Sequence, residues 1–213
     1  MSRKESPMVV FQNSPFKKTV VEGIGYECPN WDEMGEVSRE LASRINCLGG
    51  KFDSVVTLAN GGFTWTKDIA DRIGTLDILP MRLKSYIGIN SSEEIKLIYN
   101  LPLSVEGKRV LVIDDVADSG KTLLFAEEHI KRAGAREVKS ATLCFKPRSI
   151  INPDFCGFIT DAWVIFPHEH REFIEISCKK WTSEGISKKE MRANFESIGL
   201  PIYDIDEFMP RVM

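Results

Sequence analysis

The stretch from Val110 to Leu123 reads VLVIDDVADSGKTL, and its reading decides how the rest of the chain is understood. Val110 to Ile113 is a continuous apolar run, the pattern of a strand buried on both faces. It ends in adjacent acids, Asp114 and Asp115. Consecutive strand side chains diverge, so the two acids reach opposite sides of a bound group. Carboxylates beside an apolar strand need compensation, from hydroxyl donors or a cation. Vicinal sugar hydroxyls and hydrated Mg²⁺ both fit, because Mg²⁺ takes one or two carboxylates and keeps its waters. Asp118 follows, and then Ser119-Gly120-Lys121-Thr122 opens an amphipathic helix. Unpaired amides and the helix dipole at such a start favour a phosphate. The stretch as a whole suits a sugar phosphate, with Asp118 between the acid pair and the phosphate cradle, near the reacting carbon.

Two other loops are excluded by single residues. A nucleotide-binding loop needs glycine where Asp115 stands, and an acid there repels phosphate. A calcium loop needs a ligand where Val116 stands.

The same alternation extends outward. Asn30 to Glu33 reads as a capping box for a helix running to about Leu48, stopped at Gly49-Gly50. Phe52 to Leu58 reads as a strand, and Asn60-Gly61-Gly62 leads into a helix ending at Gly74. Leu76 to Tyr86 reads as extended, Ile87 to Ser92 as turn-rich, and Glu94 to Tyr99 as a further strand. After VLVI, a helix puts Leu123, Ala126, Ile130 and Ala133 on one stripe before Gly134. Strands follow over about Val138 to Phe145 and Ala162 to Phe166. The expected fold is α/β, a mostly parallel sheet flanked by helices. Ligands of such sheets bind beyond the carboxyl ends of the strands, where both glycine turns and the acid pair fall. Residues 1–181 are expected to form the main domain and 182–213 a helical extension. Ser187 to Glu190 is its capping box, and Gly199 and Pro201 end its helix.

Composition limits the function. The 213 residues are 43% hydrophobic, enough for one sizeable core, and carry a net charge of −3. That acidic balance disfavours nucleic acid as a partner. Five scattered cysteines without a CxxC pair suit reduced thiols in the cytoplasm. The amino-terminal residues lack an apolar signal core, and no apolar run is long enough to span a membrane.

VLVIDDVADSGKTL resembles the phosphoribosyl pyrophosphate signature of the type I phosphoribosyltransferases. The resemblance implies a parallel sheet with a small hood. It implies that Asp114 and Asp115 serve the ribose hydroxyls and Mg²⁺, that Ser119, Gly120, Lys121 and Thr122 hold the 5′-phosphate, and that Asp118 lies by the incoming base. Ala59-Asn60-Gly61-Gly62 is similar to the family's pyrophosphate loop, with Asn60 where comparable members carry Arg or Lys. Arg82 or Lys84 would then supply the missing charge. Lys84-Ser85-Tyr86 and the polar loop after it resemble the mobile cover of the 6-oxopurine enzymes. Lys146-Pro147 and Asp161-Ala162-Trp163-Val164 resemble their purine site. There Lys146 would donate to the 6-oxo group, Trp163 would stack, and the backbone near Val164 would read the 2-position. His168 stands where similar proteins tend to carry Trp.

The activity implied is purine salvage: a 6-oxopurine and phosphoribosyl pyrophosphate give a nucleoside 5′-monophosphate and pyrophosphate. The implied assembly is a homo-oligomer, a dimer or larger. The alternatives are transfer to another base, or a non-catalytic sensor of phosphoribosyl pyrophosphate.

Overall fold

The chain order explains the sheet. A computed structural model describes residues 7–87 and 93–212, with the backbone alone at 86, 87 and 93. The strands and helices run β1 (Met8–Phe11), β2 (Lys18–Val21), β3 (Ile24–Glu27), α1 (Trp31–Gly49), β4 (Ser54–Ala59), α2 (Gly62–Ile73), β5 (Ile78–Ile87), β6 (Glu93–Tyr99), β7 (Arg109–Ala117), α3 (Lys121–Arg132), β8 (Glu137–Phe145), β9 (Phe155–Ile159), β10 (Trp163–Val164), α4 (His170–Ser183), α5 (Lys188–Ile198) and α6 (Ile202–Phe208), closed by a 3₁₀ turn, Met209–Arg211. They fall into two compact units. The first takes the chain up to Ser14 and Gly35–Thr160, and the second takes Pro15–Met34 and Asp161–Met213.

The first unit holds a seven-stranded sheet in the order β1-β9-β8-β7-β4-β5-β6. Every pairing is parallel except β5 with β6. In β7, Val110 and Val112 join one core cluster with Leu123, Ala126 and Ile130 of α3. Leu111 and Ile113 point the other way and are equally buried, because α2 covers that part of the sheet while α3 covers β7 and β8. The strand is longer than its apolar run suggests. It continues through Asp114 and Asp115 to Ala117, paired with β8 as far as Phe145. The stripe on α3 is one residue shorter than expected. The helix ends at Arg132, so Ala133 caps it and is exposed. The turn expected over Ile87 to Ser92 falls at 88–92 outside the described residues, as does the Tyr86 side chain.

The second unit holds a three-stranded sheet, β10-β3-β2, with α4, α5 and α6. Its core is aromatic: the Trp181 and Phe195 rings lie 4.9 Å apart, and Tyr26 meets Phe173 at 5.5 Å. The expected boundary between residues 181 and 182 falls inside α4, and Trp181 and Phe195 lie on either side of it in one cluster. Sequence spacing marks no break between His170 and Ser183, so the helix runs through. The Ser187 capping box forms as read: Ser187 Oγ accepts from the Glu190 amide, and the Ser187 amide donates to Glu190 Oε2. Asn30 and Glu33 make the same reciprocal pair at the start of α1. Among the described residues, no helix is long and apolar enough to cross a membrane.

Candidate active site

Adjacent parallel strands carry the acid pair and the glycine turn to one place. Thr57 of β4 pairs with Ile113 of β7, so the residues just beyond them lie side by side. Asp115 is only 8% exposed. Its Oδ1 accepts the Val116 amide at 2.7 Å, and the Asp115 amide donates to Asp114 Oδ1 at 3.0 Å. Burial pushes the Asp115 carboxyl above its ordinary range, partly offset by those local hydrogen bonds. Two hard carboxylates on one strand end, one of them desolvated, form a donor set that fits Mg²⁺.

The Asn60-Gly61-Gly62 turn closes against this pair. The Ala59–Asn60 peptide is cis. A Cβ on Gly61 would lie 2.5 Å from Asp115 Cγ, and one on Gly62 would lie 2.8 Å from the Ile113 carbonyl oxygen. Side chains are excluded at both positions because the turn's backbone rests directly on the end of β7. Lys84 and Ser85 lie beyond Arg82 on β5, which pairs with Ala59 at the end of β4. Both are exposed, paired across β6 with Lys96 and Ile95.

Past β7 the chain turns through exposed Asp118 into α3. Gly120 is left-handed, with φ of 77°, and caps the helix without a side-chain acceptor. The Lys121 amide donates to Ser119 Oγ at 3.4 Å, and the start of α3 lies beside the hydroxyls of Ser119 and Thr122, both half-buried. A Cβ on Gly120 would strike Ser149 Oγ and lie 2.9 Å from Ile151 Cγ2. The turn before α3 is thus packed on the segment after β8, which the sequence reading used only for Lys146. Lys146 is buried, and its amide donates to the Ala117 carbonyl at 3.1 Å. Arg148, in the same turn, pairs with Asp118: its Nε donates to Asp118 Oδ1 at 2.8 Å and its Nη2 donates to the same oxygen. Arg148 was missed by sequence reasoning. Its signal was a cation two residues after Lys146, in a proline turn at a strand's carboxyl end.

Trp163 and Val164 belong to the second unit, on β10 beside Tyr26 and Glu27 of β3. Val164 is buried. Trp163 is 54% exposed. It lines a cavity of about 200 Å³ with Ile24, Tyr26, Ile165, Phe173 and Trp181. His168 behaves as an aromatic neighbour: it stacks on Phe166 at 5.7 Å and lies 6.3 Å from Trp31, and burial lowers its pKa.

Comparison with known proteins identifies a family. Residues 30–172 match the phosphoribosyl transferase domain. The bifunctional protein TilS/HprT of Listeria innocua is 39% identical over 134 residues, covering 60% of this chain and 21% of that protein. The chain therefore spans about a fifth of the length of that relative. The hypoxanthine-guanine phosphoribosyltransferase of Bacillus subtilis is 34% identical over 139 residues, covering 62% of this chain and 76% of the relative. Among solved structures, a purine phosphoribosyltransferase from Pyrococcus horikoshii superposes with a TM-score of 0.62 at 29% identity, covering 67% of this chain and 92% of that one. With a matching domain over most of its length and the acid pair, the glycine turn and the Ser119–Thr122 turn assembled in one unit, the chain belongs to the phosphoribosyl transferase family.

Proposed function

We propose that this protein transfers the phosphoribosyl group of phosphoribosyl pyrophosphate to a 6-oxopurine, giving a nucleoside 5′-monophosphate and pyrophosphate. The observation that carries the reading is the convergence of the acid pair, the Gly61 turn and the Asp118–Thr122 turn at neighbouring strand ends. The hypoxanthine-guanine enzyme of Bacillus subtilis, 34% identical to this chain, supports the purine.

The phosphate sits on the α3 amides with Ser119, Gly120, Lys121 and Thr122, and the ribose hydroxyls face Asp114 and Asp115. The backbone of Asn60 and Gly61 approaches the pyrophosphate, with Lys84 and Ser85 on the next strand. Asp114 and Asp115 would also hold Mg²⁺, which would neutralise charge on the leaving pyrophosphate. The base nitrogen attacks the anomeric carbon as its bond to pyrophosphate breaks. Asp118 receives the proton that the base gives up. Lys146 donates to the 6-oxo group, Trp163 offers its exposed face to the purine ring, and the Val164 backbone faces its 2-position. The same reading places the protein in the cytoplasm, as a homo-oligomer.

A base panel tests it. Hypoxanthine, guanine, xanthine, adenine and orotate are each incubated with phosphoribosyl pyrophosphate and Mg²⁺, with and without a chelator. Chelator-sensitive nucleotide formation from a 6-oxopurine is expected. Asp118→Asn should lower turnover by about 10²–10⁴-fold, the usual worth of positioned proton transfer, while sugar-phosphate binding persists. Ligand binding with no turnover on any base refutes the proposal.

A further inference from the structure

We infer that Arg148 is a positioning residue for the transfer, holding the Asp118 carboxylate in one rotation and leaving a single oxygen for the base's proton. The inference rests on the proposed role of Asp118 and adds the group that aims it.

The backbone brings the two together. The ladder between β7 and β8 ends at Ala117 and Phe145, yet the chains stay bonded beyond it. The Lys146 amide donates to the Ala117 carbonyl at 3.1 Å, and the Ile150 amide donates to the Ser119 carbonyl at 2.9 Å. These bonds fall on the residues either side of Asp118. Between them a tight turn closes, with the Ser149 amide on the Lys146 carbonyl at 2.9 Å. Pro147 presets the backbone at the turn's second position, which sets Arg148 third. Gly120 packs against Ser149 and Ile151, so the two loops lack room to slide apart. Arg148 is thus directed at Asp118 by the same contacts that build the phosphate turn.

The chemistry of the pair suits aiming better than holding the fold. Asp118 and Arg148 side chains are 52% and 67% exposed, and exposed pairs add little stability. Both guanidinium bonds land on Oδ1 and neither on Oδ2. A guanidinium has no acceptor and stays charged, so it does not compete for the proton. Oδ2 is then the oxygen turned toward an incoming base.

A double-mutant cycle tests this in the full-length chain. Arg148→Met should lower kcat by about 10-fold or more, as for a misdirected catalytic group, with KM for phosphoribosyl pyrophosphate unchanged. In an Asp118→Asn background the same change should alter kcat by less than about twofold, because the two residues act as a unit. Arg148→Lys, which keeps the charge but not the two-donor fork, should recover part of the rate. An equal loss in both backgrounds, or a normal kcat in Arg148→Met while Asp118→Asn is slow, overturns the inference alone. A normal kcat in Asp118→Asn overturns the proposed role of Asp118, and this inference with it.

Discussion

Replacing Gly61 with alanine adds one methyl group where the structure leaves no room for it. The new Cβ would lie 2.5 Å from Asp115 Cγ and 2.8 Å from its Oδ1. Comfortable carbon contacts need about 3.5–4.0 Å, so the carboxylate must retreat by roughly 1 Å. Asp115 is buried and its Oδ1 is tied to the Val116 amide at 2.7 Å, so the retreat loosens that bond as well. Overpacking of this kind costs about 1–3 kcal/mol. In a chain of 213 residues each kcal/mol moves the thermal midpoint by about 2–4 °C. A fall of about 2–12 °C is expected by differential scanning fluorimetry. The functional loss should be larger than the stability loss suggests. A group displaced by 1 Å in a site costs about 10²-fold in rate, which should appear in kcat/KM for phosphoribosyl pyrophosphate. Asp115→Ala in the same chain removes the obstacle. Gly61→Ala/Asp115→Ala should therefore match the thermal midpoint of Asp115→Ala alone. A Gly61→Ala protein with unchanged midpoint and unchanged kcat/KM would refute the close approach of the two strand ends. Equal destabilisation with and without Asp115 would place the cost elsewhere.

Two further outcomes follow from the ionisable groups. Burial raises the Asp115 carboxyl's pKa, so the folded state keeps its proton to higher pH than the unfolded chain does. Its contribution to stability is full below the ordinary aspartate range and is lost as pH rises through the folded value. Denaturation of metal-free protein from pH 4 to 8 should then show Asp115→Asn gaining on the native sequence as pH rises; a pH-independent difference would contradict this. In the second unit, Cys28 Sγ lies 3.8 Å from His170 Nε2, and His170 Nδ1 lies 2.7 Å from Asp204 Oδ2. The trio looks like a thiol nucleophile with its base. Yet burial first, then Glu33 and Asp204, push the thiol up to about 12. Its thiolate fraction at pH 8 is about one part in 10⁴, so iodoacetamide should label exposed Cys47 well before Cys28. Comparable labelling rates for the two would refute that reading.

Much of the candidate site was legible because it is contiguous. A buried strand, two acids, a third acid and a helix start all fall between Val110 and Leu123, and each has a local signature. The capping boxes at Asn30 and Ser187 were legible for the same reason, since their partners are three residues apart. The sheet's parallel character followed from alternating strands and helices. The first three strands, β9, α4 and α6 were not foreseen. β1 to β3 are each four residues long, too short for periodicity to declare, and α4 starts without a side-chain cap, although left-handed Gly185 stands just past its end.

By itself, then, the sequence determined which residues form the acid pair, the third acid and the helix start of the candidate site, because they sit on one strand and the turn after it. Tertiary structure alone decided which distant residues complete the site. Parallel registry set Gly61 against Asp115 across β4 and β7, and it carried Arg148 over Asp118, thirty residues away, across β7 and β8. It also pooled Tyr26, Trp181 and Phe195 into one core, joining chain segments that the sequence keeps far apart. The physical reason is common to all three. Side-chain type and local spacing are properties of neighbouring residues, whereas registry and core packing depend on which surfaces the folded chain buries together.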